Sequence, residues 1–335
     1  MTDSSEPESV DPGARFYDPA TDTAPLSVDA ATALAADVMD NVGTVIVGKR
    51  SATEHIMTTV LGRGHLLLED VPGVGKTMLA RAVARSVAGE FRRVQFTPDL
   101  LPADVTGVSV YDEGAGEFEF RPGPLFANVV LADEINRAPP KTQSALLEAM
   151  EEAQVTTDGE TRRLPDPFVV IATQNAVERD RTYELPIAEL DRFTKKITLG
   201  YPDRDEELSV LERVVGGHPI DDVEAVTDVE QVRRARATAA NVTVSPEVRE
   251  YVTELARHTR QEADLGVSPR AAIDLVRAAQ GRAILHGRDF VIPDDVREEA
   301  PAVWSHRIRA EASGPVGGEK GAKLVELALD AVPVR

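Results

Sequence analysis

The sequence predicts an α/β fold in which a five-stranded, mainly parallel sheet is followed by a smaller all-α domain. Three observations support this prediction. Between residues 27 and 202 short apolar runs alternate with helical patterns, from residue 203 onward the patterns are helical only, and one apolar run leads into a glycine-bearing turn that opens a helix. Such alternation is typical of parallel sheets with helices on both faces.

Five runs are predicted to form the sheet, and each has the length of a buried strand. They are HLLLED at 65–70, RRVQF at 92–96, NVVLADE at 128–134, FVVIATQN at 168–175 and KKITLGY at 195–201. Two further segments, 108–120 and 154–164, alternate around glycine-containing centres. We expect each of these two segments to form a β-hairpin inserted into the sheet domain.

The composition divides the chain into four parts. Residues 1–26 carry six acidic side chains and one basic side chain, which predicts a flexible tail. We expect residues 27–202 to form the α/β domain, 203–312 a helical domain and 313–335 a C-terminal segment. Helices in the last two parts are predicted at 204–215, 228–240, 246–262, 269–286 and 293–309, with a terminal helix over LVELALDAV.

The composition also excludes several classes of protein. A net charge of -20 argues against broad electrostatic binding to nucleic acid or to anionic membrane. The chain has no cysteine, and its six histidines lack the i, i+4 spacing of a zinc-binding helix. No apolar run approaches the roughly 18 residues of a membrane span, and the N-terminus lacks the pattern of a signal peptide. We therefore expect a cytoplasmic protein whose metal would be bound by oxygen.

The segment LLLEDVPGVGKTMLARAVA has the pattern of a phosphate-binding loop between a strand and a helix. Glycines let backbone N–H groups face an anion, and the helix N-terminus adds a favourable dipole. Lys76 is expected to contact the β- and γ-phosphates, and the Thr77 hydroxyl to bind Mg²⁺. The full pattern has glycine at its first position, where this chain has Asp70. The predicted nucleotide-binding residues of this segment are Pro72, Gly73, Val74, Gly75, Lys76, Thr77 and Met78.

Two adjacent acids end the predicted strand NVVLADE. Open parallel sheets bind ligands at the carboxyl ends of their strands, so these acids should lie beside the phosphate-binding loop. Asp133 is the expected partner of Mg²⁺, directly or through water. Glu134 is the expected base that orients and deprotonates the attacking water.

Taken together, these motifs resemble the MoxR family of AAA+ ATPases. The resemblance rests on LLEDVPGVGKT, LADEINRAPPKTQSALLEAMEE, ATQN, LDRF and SPRAAIDLVRAAQ, and it covers roughly residues 28–310. It implies a P-loop αβα nucleotide-binding domain with a helical lid, and ATP and Mg²⁺ as cofactors. It further implies that the hairpins are the insert in helix 2 (about 99–124) and the hairpin before sensor 1, and that the subunits form a ring, commonly a hexamer.

The resemblance also assigns roles to single residues. Asn175 in ATQN resembles sensor 1, which holds the lytic water or contacts the γ-phosphate. Arg192 in LDRF resembles the arginine finger, which acts in the site of a neighbouring subunit. Arg270 in SPRAA resembles sensor 2, a cation brought to the phosphates when the lid closes. Val47 and Gly48 resemble the loop that lines the adenine pocket.

The finger assignment stays open between two arginines. The family usually has a Gly-Thr-Tyr run before LDRF, whereas this chain has RDRTYELPIAELDRF, so Arg181 is a second cation near the expected interface. Arg137, just after the two acids, could also face a neighbour.

The resemblance implies that hydrolysis drives chaperone-like remodelling or activation of partner proteins, often ones with a von Willebrand factor A domain. Two other functions share the architecture. A nucleic-acid motor of the MCM type would need basic or aromatic hairpin tips, whereas DEGAG at 112–116 is acidic. A chelatase motor subunit would co-purify with a large chelatase partner. A nucleotide-binding scaffold without catalysis would not need the lysine, both acids, the asparagine and the finger together.

Overall fold

The computed structural model describes residues 23–175, 183, 185–215, 220, 223–311 and 317–334. Most of the predicted acidic tail, the alternative finger Arg181 and the beginning of the C-terminal segment lie outside the described residues. No helix in the described part of the chain is long and apolar enough to cross a membrane.

The central sheet has five parallel strands, as predicted. They are β1 (Leu66–Asp70), β2 (Phe91–Gln95), β5 (Val129–Asp133), β8 (Val169–Asn175) and β9 (Lys195–Ile197), in the spatial order β2-β5-β8-β1-β9. β1, β5 and β8 are almost wholly buried because they lie inside the sheet with helices on both faces. The carboxyl ends of β5, β8 and β1 therefore lie side by side.

Each face of the sheet has its own hydrophobic core. One core contains side chains from α1 (Val28–Gly43), α2 (Arg50–Leu61) and α3 (Lys76–Ser86), and it continues into the second half of the chain. The other contains side chains from α4 (Pro102–Thr106) and α5 (Pro140–Glu152). A short helix, α6 (Ile187–Leu190), precedes β9.

Both predicted hairpins are present. The first pairs β3 (Gly107–Asp112) with β4 (Glu117–Pro122), and the second pairs β6 (Gln154–Thr157) with β7 (Glu160–Arg163). The hairpins touch through a cation–π contact, in which the Arg162 guanidinium lies 4.0 Å from the centroid of the Phe120 ring. At the end of the first hairpin, Tyr111 and Phe118 form an exposed edge-to-face pair with centroids 5.3 Å apart.

The second half of the chain is helical. Its helices are α7 (Arg204–Val215), α8 (Val229–Ala240), α9 (Pro246–Glu262), α10 (Pro269–Leu285), α11 (Pro293–Trp304) and α12 (Gly318–Ala331). Asp228, Ser245 and Ser268 cap α8, α9 and α10 by accepting backbone N–H bonds, as such residues commonly do. The domain division after residue 202 stays a prediction. One continuous hydrophobic core contains side chains both from the first three helices and from the helices of the second half.

The helix predicted over 293–309 is shorter than expected. α11 ends at Trp304, a 3₁₀ turn covers Ser305–Arg307, and the chain then extends so that Arg309 pairs with Leu265. Side-chain bonds explain the change of direction. Nε2 of His306 lies 2.9 Å from the carbonyl of Phe193, and Arg307 Nη2 donates to the same oxygen at 2.7 Å.

A buried ion pair joins the sheet to the helical half. Lys195, the first residue of β9, and Glu299 of α11 are each 0% exposed, and their charged atoms are 2.5 Å apart. Burial opposes the charge of Glu299, but Lys195 and the nearby His55, whose Nδ1 lies 3.7 Å from Glu299 Oε2, outweigh burial and hold the pKa of Glu299 at about 2. Burial lowers the pKa of Lys195, and Glu299 opposes that shift.

We expect Glu299→Ala to lower the free energy of unfolding by about 3–5 kcal/mol, because it leaves the Lys195 ammonium buried without a counter-ion. Its neighbour Glu298, with a side chain 65% exposed, supplies the control: Glu298→Ala should change stability by no more than about 0.5 kcal/mol. Urea denaturation at pH 7 measures both. Equal effects of the two substitutions would contradict a structural role for the pair.

Candidate functional site

The phosphate-binding loop lies between β1 and α3, where the sequence predicts it. Gly73 and Gly75 have positive φ angles of 87° and 93°, a conformation that residues with a Cβ rarely adopt. Gly75 occupies the N-cap of α3 without a side-chain cap, and the first intrahelical bond runs from Leu79 N to Gly75 O. The preceding N–H groups of this first turn are thus directed to the loop, as anion binding requires.

Lys76 is held by its own loop. Its Nζ donates to the carbonyl oxygens of Asp70 at 3.1 Å and Val71 at 3.2 Å. These bonds keep the ammonium over the loop, where a phosphate would meet it. Thr77 is the next residue of the same helical turn, so its hydroxyl lies at the same end of α3.

Asp70, which replaces the first glycine of the pattern, has a structural role. Its side chain is buried, and Oδ2 accepts the N–H groups of Leu199 at 2.6 Å and Gly200 at 2.8 Å. Oδ1 accepts the N–H of Val71 at 2.9 Å. The carboxylate therefore ties the base of the phosphate-binding loop to the segment that leaves β9 for the helical half.

Asp133 ends β5 beside this loop, and two side chains contact its carboxylate. Oδ1 accepts the hydroxyl of Thr173 at 2.6 Å, and Oδ2 accepts Nη2 of Arg93 at 2.6 Å. Arg93 comes from β2, on the far side of β5 from β8. These two contacts fix the orientation of the carboxylate at the end of β5.

Glu134 follows in a left-handed conformation with a φ angle of 56°. Its backbone N–H donates to the hydroxyl of Thr173 at 2.9 Å, while its Oε2 accepts from Gln95 Nε2 and from Arg137 Nη1, both at 2.7 Å. Arg137, considered above as a residue facing a neighbour, thus pairs within its own chain. A non-glycine residue at positive φ is uncommon and occurs often at functional sites.

Asn175 ends β8, the strand between β5 and β1, and is paired in register with Asp70. The structure thereby brings Lys76, Asp133, Glu134 and Asn175 to one edge of the sheet. Three polar partners at this edge, Arg93, Gln95 and Thr173, were not predicted from the sequence. Two of them had a local signal: Gln95 lies at the end of a predicted strand, and Thr173 alternates with Asn175 on the same strand face.

Arg192 and Arg270 lie away from this edge of the sheet, and both contact the carboxylate of Glu151. Nε of Arg192 is 3.1 Å from Glu151 Oε2, and Nη1 of Arg270 is 2.7 Å from Glu151 Oε1. The preceding residue of α5, Met150, accepts a bond from His65, which directly precedes β1. Glu151 therefore lies at the amino edge of the sheet, and neither arginine contacts the phosphate-binding loop of its own chain in this structure.

The helical half also holds the segment that carries Arg192. Ser268 donates to both carboxylate oxygens of Asp191, at 3.2 and 3.3 Å, and Arg307 lies 3.5 Å from the same carboxylate. Burial raises the pKa of Asp191, although Arg307 and Ser268 oppose the shift. With the bonds of His306 and Arg307 to the Phe193 carbonyl, these contacts fix Asp191–Phe193 to the helical half of the chain.

Val47 and Gly48 lie in the loop between α1 and α2. Gly48 has a φ angle of 71°, which favours glycine, and a Cβ at this position would displace the Glu206 carboxylate, whose Oε1 would lie 1.8 Å away. Gly48 borders a cavity of about 580 Å³ that also touches Lys49, β9 and α11. Among its described lining residues, none belongs to the phosphate-binding loop, so the adenine role of Val47 and Gly48 stays a prediction.

The donor set fits Mg²⁺ that is bound together with a nucleotide. In the described part of the chain no group of three or more histidine, aspartate or glutamate side chains could hold a metal by itself. Mg²⁺ typically keeps several waters and uses one or two carboxylates with substrate phosphates. The Asp133 carboxylate and the Thr77 hydroxyl match that requirement.

Comparisons with known proteins agree with this geometry. Residues 65–195 match the ATPase family associated with various cellular activities (AAA), and residues 255–326 match an AAA lid domain. The chain is 50% identical to the uncharacterized protein YeaC of Bacillus subtilis, over 88% of this chain and 93% of that protein. It is 40% identical to the chaperone MoxR1 of Mycobacterium tuberculosis, over 89% of this chain and 82% of that protein.

A solved structure gives the same result. The crystal structure of a putative ATPase from Cytophaga hutchinsonii matches with a TM-score of 0.84 and 37% identity, covering 92% of this chain and 97% of that one. The protein MoxR of Methylorubrum extorquens is 34% identical over 86% of this chain and 90% of its own length. With the P-loop sheet, the paired acids and the helical lid, these likenesses establish that the chain belongs to the MoxR family of AAA+ ATPases.

Proposed function

We propose that this chain binds Mg-ATP between the Lys76 loop and Asp133, hydrolyses it within a ring of identical subunits, and uses the cycle to remodel or activate partner proteins. One observation carries the proposal: the phosphate-binding loop, the two acids of β5 and Asn175 lie together at the carboxyl edge of one sheet. Open α/β sheets bind ligands at this edge.

Each residue then has a defined task. The N–H groups of the Gly73–Thr77 turn and the Lys76 ammonium bind the phosphates, and Glu134 accepts the proton of the attacking water. Gln95 and Arg137 hold that carboxylate in place. Thr77 and Asp133 would hold Mg²⁺, which neutralises charge on the phosphates when it is bound.

A ring supplies what a single subunit lacks. The phosphate-binding loop follows the carboxyl end of β1, whereas Arg192 precedes the amino end of the neighbouring strand β9. The level of Asp70 is about 13 Å along the sheet from that of Lys195, at about 3.3 Å a residue. Head-to-tail assembly would bring Arg192 and Arg270 of one subunit to the phosphates bound by the next. A hexamer is the ring size we propose.

The first hairpin is the surface that we assign to the partner protein. Tyr111 and Phe118 are 52% and 73% exposed, and Asp112, Glu117 and Glu119 lie on the same two strands. Exposed aromatic rings suit an apolar protein segment, while the surrounding carboxylates oppose a nucleic-acid backbone. A protein with a von Willebrand factor A domain is the partner class that we propose from the family.

The nucleotide site is tested with Lys76→Ala. Loss of a charged hydrogen-bond donor to phosphate should weaken ATP binding by about 10- to 100-fold. Lys141, exposed at the start of α5, provides the matched control, and Lys141→Ala should leave the affinity unchanged. Titration with a fluorescent ATP analogue measures both variants. If Lys76→Ala bound and hydrolysed ATP like the wild-type protein, the proposed site would be wrong.

A further inference from the structure

A second group of cations lies away from the nucleotide site. Arg63 follows α2, Arg236 lies in α8 and Arg277 in α10, and all three line one pocket of about 220 Å³. Among the described residues that line this pocket none is acidic, although the chain as a whole has a net charge of -20. Arg63 lies just before β1, so the pocket is at the amino edge of the sheet, opposite the phosphate-binding loop.

One nitrogen of the Arg236 guanidinium has no hydrogen-bond partner among the described residues. Arg236 is only 3% exposed; its Nε donates to Val60 O at 2.8 Å and its Nη1 to Asp166 Oδ1 at 3.1 Å. Its Nη2 is buried and has no hydrogen-bond partner among the described residues. A buried donor without a partner is costly, which points to a ligand that would accept its bond.

The charges of these arginines act on one another. Burial lowers the pKa of Arg236 to about 10; Asp166 opposes this shift, while the nearby charge of Arg63 adds to it. Asp166 is shared with a further arginine, since Arg233 Nε lies 3.2 Å from its other oxygen. An anion in the pocket would relieve the repulsion that Asp166 leaves uncompensated.

Arg63 is held in an unusual conformation. It follows the Gly62 C-cap with a φ angle of 58°, and the bonds Arg63 N to Val60 O and Gly64 N to Thr59 O form a Schellman motif. Glycine is the usual residue at this left-handed position, because a Cβ strains it. The chain thus places an arginine at the mouth of the pocket where the backbone favours glycine.

We propose that this pocket binds a phosphate group. Guanidinium groups bind phosphate and carboxylate oxygens bidentately, and three arginines offset the two charges of a phosphate better than the single charge of a carboxylate. The volume suits one phosphate with at most a small organic part. Because α2 belongs to the nucleotide-binding half and α8 and α10 to the lid, a bound phosphate would bridge the two.

The test uses Lys76→Ala protein, in which phosphate binding at the phosphate-binding loop is weakened. Calorimetric titration with inorganic phosphate at constant ionic strength should give saturable binding of one phosphate per chain. Adding Arg63→Gly or Arg277→Gln should weaken this binding about tenfold or more, since each removes a charge-assisted contact. Arg63→Gly also removes the backbone strain, so its loss of binding would not come from unfolding. Adding Arg257→Gln, an exposed arginine of α9, should change nothing.

Glycerol 3-phosphate tests whether the group can be part of a small molecule. Tighter binding of this ester than of inorganic phosphate would support a phosphorylated metabolite, and the reverse order would support the free ion. The proposal is overturned if the Lys76→Ala protein takes up no phosphate saturably, if the arginine variants bind like their parent, or if acetate binds as tightly as phosphate. These outcomes leave the ATPase proposal untouched.

Discussion

Arg192→Ala is expected to lower kcat for ATP hydrolysis by about 10³-fold or more while ATP still binds, because an arginine finger stabilises charge in the transition state. In the structure Arg192 pairs with Glu151 at the amino edge of the sheet, where its own bound nucleotide is out of reach. In the proposed ring we therefore expect its effect in the site of the neighbouring subunit. Steady-state phosphate release measures the loss.

Mixing experiments separate action in a neighbour from action within one chain. When Arg192→Ala subunits are mixed with Glu134→Gln subunits, each nearly inactive alone, activity should reappear, since an intact site in an Arg192→Ala subunit can receive the finger of a Glu134→Gln neighbour. Arg204→Ala, whose side chain is 84% exposed at the start of α7, should give only the weighted average when it is mixed with Glu134→Gln. A mixture of Arg192→Ala and Glu134→Gln that stays inactive would refute action in trans. If Arg181→Ala instead reproduced the large loss, the finger would be Arg181.

Glu134→Gln is expected to lower kcat by about 10²- to 10⁴-fold with little change in ATP affinity, because an amide keeps the shape of the side chain but cannot accept a proton. Gln95 and Arg137 hold the Glu134 carboxylate, so the native group is positioned before the reaction. Single-turnover hydrolysis together with equilibrium ATP binding distinguishes lost chemistry from lost binding. Native turnover by this variant would exclude Glu134 as the base. Glu148→Gln, which changes an exposed carboxylate on α5, is the control for Glu134→Gln and should hydrolyse ATP normally.

The Glu134→Gln variant also tests the partner surface. Held with ATP bound, the Glu134→Gln protein should retain partner proteins in affinity capture. Replacing Tyr111 and Phe118 by serine in that background should release those partners while ATP stays bound. Retention of the same partners would argue that the hairpin is not the contact surface.

The sequence was most informative where the determinants are local. The five strands, the two hairpins and the capped helices of the second half lie within a few residues of their predicted positions, because apolar runs, glycine turns and Ser-Pro starts act over short distances. Lys76, Asp133 and Asn175 could be predicted to meet for a similar reason. Each follows or ends a strand, and parallel strands share one carboxyl edge.

Contacts between distant segments could not be predicted in this way. The order β2-β5-β8-β1-β9 depends on crossovers between strands that are distant in the sequence. The ion pair between Arg93 of β2 and Asp133 of the neighbouring strand β5 therefore had no local signal. The burial of Lys195 was equally hidden, since its counter-ion Glu299 lies more than a hundred residues away. α11 ends early because His306 and Arg307 reach Phe193, another contact that only the folded chain reveals.

In the proposed ring, the contacts between the lid and Asp191–Phe193 would make adjacent catalytic centres dependent on one another. Because His306, Arg307 and Ser268 hold this segment, a rotation of the lid on nucleotide exchange would carry Arg192 with it. A subunit would thus report the state of its own nucleotide by advancing or withdrawing a cation from the site next door. The order in which the sites around the ring hydrolyse ATP would then follow from this coupling, without any further contact between subunits.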